Sequence, residues 1–95
     1  MHARVDRAII GRHLWEAEQA DALDTETGRR DARAHWTKAY NVAAESTQAA
    51  AAEIKRQLFL GPAGRRKALG LALHAAWCTQ IMVTVHDEIE REIPS

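Results

Sequence analysis

The chain has 95 residues, one cysteine, and 13 Lys and Arg balanced by 13 Asp and Glu. That length holds one domain with a single modest core. The charge balance gives no global field favouring nucleic acid or an anionic membrane, and a lone Cys78 cannot staple its own chain, which points to a reducing, cytoplasmic setting.

The first twelve residues mix Arg and Asp with isolated apolar side chains, without the continuous apolar run of a signal peptide. A helix is expected over residues 3–23, stopped by the turn signal Asp24-Thr25-Glu26-Thr27-Gly28. Its broad apolar face carries Val5, Ile9, Ile10, His13, Ala17, Ala20 and Leu23. Trp15 points nearly opposite, beside Ala8 and Ala22.

Gly61-Pro62-Ala63-Gly64 is the stronger break, because Gly suits the residue past a helix end and Pro cannot continue one. It places the second helix over residues 29–60. The stripe there is Trp36, Ala39, Tyr40, Ala43, Thr47, Ala50, Ile54 and Leu58, and its alanines invite close approach by a neighbour. The third helix is expected over residues 65–93, closed by Pro94. At 1.5 Å per residue the last two helices run about 45 Å each.

The third helix is apolar on more than one side. Leu71, Ala75, Cys78, Met82, Val85, Ile89 and Ile93 form one stripe, and Leu69, Ala72, Ala76 and Val83, with Leu73 at the edge, form a second. Trp77 and Ile81 fall between them. Gly70, His74, Thr79, Gln80 and Thr84 interrupt the run, so a soluble helix is expected in place of a membrane span. A β-branched content makes Ile81–Val85 readable as a strand, but the helical period around it prevails.

Short turns predict an all-α, three-helix up-down-up antiparallel bundle with long second and third helices. Two single-striped helices cannot cover the third on every side, so a homodimer is expected to complete the bundle. In that arrangement Arg4, Arg7, Arg12, Lys55, Arg56, Arg65, Arg66 and Lys67 gather at one pole against only Asp6 and Glu53. The opposite pole is acidic. The first and third helices thus begin basic and end acidic, the reverse of what their dipoles favour.

Signals for catalysis are weak. His74 and Cys78, four residues apart, can share a helix face as two ligands of a soft metal would, but a third ligand from His13 or His35 needs an independent tertiary meeting. No histidine has a carboxylate three residues before it. Val85-His86-Asp87-Glu88-Ile89 resembles the palm motif of family A DNA polymerases, which implies a tight hairpin and metal-holding roles for His86, Asp87 and Glu88. The second palm carboxylate, the nucleotide-binding helix and the large scaffold of that family have no counterpart here, and the context is helical. The glycines before Arg65 supply part of an anion site, without the Gly-Lys-Ser/Thr ending of a phosphate loop.

Neither cofactor nor metal is therefore expected. Small helical chains without chemistry of their own often act as antagonists or adaptors, so the expectation is a non-enzymatic regulator that binds and sequesters or antagonises another protein, such as a transcription regulator. The rival reading is a nucleic-acid-binding regulator using the basic pole. Expected contact residues, for dimer or partner, are Trp15, Leu71, Cys78, Met82, Val85 and Ile89, with Arg65, Arg66 and Lys67 as the charged contact.

Overall fold

A computed structural model describes residues 2–92. They form three helices: α1 (Ala3–Asp21), α2 (Glu26–Leu58) and α3 (Pro62–Glu92). The described residues contain no strand, and Ile81–Val85 lies within α3. Ile93 and Pro94, expected to end the third helix, lie outside the described residues.

Local chemistry shifts the expected boundaries by a few residues. Thr25 caps α2, its hydroxyl accepting a 2.9 Å hydrogen bond from the Gly28 amide, so Gly28 is a buried residue of the first turn and not part of the loop. Pro62 opens α3, where its missing N–H costs nothing because first-turn amides have no partner inside the helix. Gly61 takes φ +82° at the link. Gly64 then lies so close to α2 that a Cβ would overlap the Gln57 carbonyl.

Both outer helices pack along α2. The buried positions of α2 include Ala32, Trp36, Ala39, Ala43, Ser46, Ala50 and Gln57. From Ala32 to Ala50 their steps alternate four and three, a 3.5-residue period. The expected stripe used a looser period and drifts off this seam. Tyr40 is 37% exposed and Leu58 54% exposed, and Ser46, not Thr47, occupies the buried position.

The core cluster joins Ile10 and Ala17 of α1, Ala32, Trp36, Ala39 and Ala43 of α2, and Cys78 and Val85 of α3. On α1 the buried line passes through Ile10 and Ala17 with Leu14 and Ala20 beside it, while Val5, Ile9 and Leu23 of the expected face turn outward. Small side chains at the contacts keep the layer thin, with extents of 53 × 26 × 14 Å.

The two stripes of α3 separate cleanly. Cys78 and Val85 are wholly buried, with Met82 and Ile89 packed against them, so this stripe faces α2. Its mate, carrying Leu69, Leu73 and Val83, faces away and is more than half exposed at all three.

Candidate functional site

A polar cluster sits where the three helices converge. Ser46 projects from the buried seam of α2, and its hydroxyl donates to Asp6 Oδ2 of α1 at 2.7 Å. His74 Nε2 of α3 lies 2.7 Å from the same hydroxyl. On the far side of the ring, Arg7 Nε donates to His74 Nδ1 at 3.1 Å. The Arg7 guanidinium also lies 4.8 Å from the centre of the Trp77 ring.

Donor chemistry fixes the direction of every bond. An arginine Nε–H can only donate, so His74 Nδ1 must be a bare acceptor and Nε2 must carry the ring proton. That proton goes to Ser46 Oγ, leaving the Ser46 hydroxyl proton for Asp6. Three residues of a hydrolytic triad are thus in contact, but in the wrong order. The histidine offers serine a proton and takes none, and Asp6 touches the serine where a triad needs it on the imidazole. What the chain does supply is one set of hydrogen bonds that exists in only one relative register of the three helices.

Burial lowers the His74 pKa below its ordinary 6.5, and the Arg7 charge adds to this while Asp6 opposes it. The neighbouring Cys78 thiol, 3.5 Å from His74 Nε2, is pushed up by burial. A raised, fully covered thiol behaves as a small apolar group.

The sequence placed His74 and Cys78 on one face, and they do meet. His13 and His35 engage each other, with Nδ1 atoms 3.1 Å apart and ring centres 5.3 Å apart. Burial, then His35 and Lys38, hold His13 below its ordinary value. Among the described residues no three His, Cys, Asp or Glu side chains converge as a metal site. His86, Asp87 and Glu88 lie inside α3, not on the hairpin that the polymerase resemblance implies.

The expected contact residues divide into two groups. Cys78 and Val85 have 0% and 1% exposure and Leu71, Met82 and Ile89 are half-buried. These five form the inner stripe of α3, so the surface they were expected to offer a partner is largely spent on α2. Trp15 is 54% exposed, and beside it Gly11 faces open space. Arg65, Arg66 and Lys67 are exposed, and no ion pair engages them among the described residues.

Two surfaces went unread in the sequence. Leu58, Phe59 and Leu60 form an apolar tip, with Phe59 90% exposed. Three bulky residues directly before a Gly-Pro break cannot all turn inward, and that signal was available. The second is the Leu69, Leu73, Val83 face, visible as a stripe but not identified as the outer one.

The stretch Pro62–Arg91 is long and apolar enough, by length and composition alone, to cross a membrane, despite its polar interruptions. Comparison with protein-family models, curated proteins and solved structures gave no match.

Proposed function

We propose that this chain is a non-enzymatic interaction module, soluble and cytoplasmic, which binds another protein and modulates it. Its helices run up-down-up, and a second copy completes the bundle. The supporting contacts fall in reverse order along the helices: Asp6 meets Ser46 while His13 meets His35, and Ser46 meets His74 while Gly64 abuts Gln57.

One observation carries the reading: large apolar side chains of α1 and α3 face solvent while a few polar ones are held inside. Trp15, Leu69, Leu73 and Val83 are all more than half exposed. Asp6, Ser46 and His74 meanwhile satisfy one another within the layer. Exposed apolar surface of this extent marks a protein contact, and an exposed tryptophan flanked by glycine and alanine is well suited to anchor one.

The test is capture of partners from the native cell extract on immobilised protein, with Trp15→Ala alongside. Loss of a partner with retained helicity and unchanged unfolding midpoint supports the reading. Unfolding of Trp15→Ala, or identical capture by both proteins, removes Trp15 as the anchor. A basic-pole reading instead requires duplex DNA binding that Arg65→Glu with Arg66→Glu abolishes and that falls steeply with salt.

A further inference from the structure

The outward face of α3 is complementary to itself. At 100° per residue, Arg65, Leu69, Ala72, Leu73, Ala76, Val83 and Asp87 lie within roughly 60° of one line along the helix. That line runs opposite the stripe that packs on α2. It starts basic and ends acidic, with a largely apolar centre that Gln80 interrupts. Ala76 is its midpoint, equally far along the chain from Leu69 and Val83 and from Arg65 and Asp87.

We infer that α3 pairs with α3 of a second copy, antiparallel, about a two-fold axis at Ala76. This rests on the dimeric reading above and names its face. The axis sets Leu69 against Val83 of the second copy and Arg65 against Asp87 of the second copy, each pair occurring twice. Ala72 and Ala76 at the crossing let the backbones approach closely. A parallel pair would instead stack Arg65 on Arg65 and Asp87 on Asp87.

Charge selects this occupant over a bilayer. Neither Arg65 nor Asp87 has an ion-pair partner among the described residues, so each is available to the other copy. Inserting α3 into lipid would strip His74 from Ser46 and Arg7 and carry Asp87 and Glu90 toward the apolar phase. The inner stripe is excluded because Cys78 and Val85 are already covered.

Sedimentation equilibrium at micromolar concentration, with a charge swap, tests the pairing. The wild type is expected to be dimeric. Arg65→Glu and Asp87→Arg should each raise the dimer dissociation constant by about tenfold through two like-charge contacts per dimer, and the double variant should return it close to the wild-type value. Under mild oxidation Ala76→Cys should form a disulfide-linked dimer, while Gly70→Cys, exposed but off the line, should not. A wild-type monomer of 10.6 kDa overturns the proposal, as does a dimer that neither substitution weakens or whose double variant shows no recovery. Cosedimentation of the monomer with phosphatidylglycerol vesicles would assign the face to lipid and equally overturn it. Partner capture by a wild-type monomer would leave the interaction reading standing while the dimer fell.

Discussion

Ser46→Ala isolates the polar cluster because it removes one oxygen and leaves the helix shape intact. Ser46 Oγ accepts from His74 Nε2 and donates to Asp6. His74 is 3% exposed, so its ring N–H has no access to water once the oxygen is gone. Only the weakly accepting Cys78 Sγ, 3.5 Å away, then remains for that proton, and a buried donor so poorly satisfied costs about 1–3 kcal/mol. Asp6 is half-buried and regains solvent, so its loss adds less. Alanine returns roughly 0.5 kcal/mol through better helix propensity. The net expectation is a loss of about 1–2 kcal/mol, or a melting point lower by about 5–15 °C for a domain of this size. Urea unfolding followed by tryptophan fluorescence, at fixed protein concentration because the proposed association would contribute to stability, measures it directly. The same change in an Asp6→Ala background should cost at least about 0.5 kcal/mol less, since the bond to Asp6 is already absent. Wild-type stability in Ser46→Ala, with strict additivity in the cycle, would refute the proton order derived for His74.

Acid should weaken the fold through the same cluster. The His74 and His13 pKa values lie below the ordinary 6.5 in the folded chain, so below about pH 6.5 the unfolded chain binds more protons and stability falls with falling pH. Above that point these two groups contribute no pH dependence. Urea midpoints taken from about pH 7.5 to about pH 5.5 should therefore decline, and His74→Gln should flatten the slope. Glu53, held low mainly by its Gln57 and Arg56 hydrogen bonds, acts only in more acidic solution. The glycines make an opposed pair. Gly64→Ala should destabilise by about 1–3 kcal/mol because its Cβ meets the Gln57 carbonyl. Gly11→Ala, with open space around it, should stabilise by about 0.5–1 kcal/mol. Thermal melts of the two variants give the signs.

Helix existence was legible because Gly61-Pro62 and the Thr25 cap region are strong punctuation and the intervening apolar spacing is helical. The two stripes of α3 were legible for the same reason. Which stripe faced inward was not. Leu69 and Leu73 are larger than Cys78 and Ala75, and ranking the stripes by hydrophobicity does not select the smaller one that the α2 alanines, themselves visible in the sequence, favour. The buried seam of α2 was misread at Ser46 and Gln57, because a polar side chain at a seam position interrupts an apolar pattern without breaking the helical contact. The sequence also held no sign that Asp6, Ser46 and His74, far apart along the chain, share one hydrogen-bonded cluster. Their meeting depends on the register between helices, which local spacing does not encode.

Exposure and close packing on this chain have one cause. Alanines at Ala32, Ala39, Ala43 and Ala50 bring the neighbouring backbones near α2, and a contact so tight admits few large side chains. Ile10, Val85 and Cys78 are the largest of those fully buried. Leu69, Leu73, Val83 and Phe59 lie exposed at the margins, although the layer takes in Trp36. Small side chains withdraw less area from water, at about 25 cal/mol for each Å² of apolar surface, so an alanine-lined layer gains less from its own folding than a leucine-lined one of equal length. The apolar area it leaves outside is then available to association. If the outer leucine belt pairs as proposed, stability rises with concentration, and dilution should lower the melting point where a self-sufficient bundle would show no change.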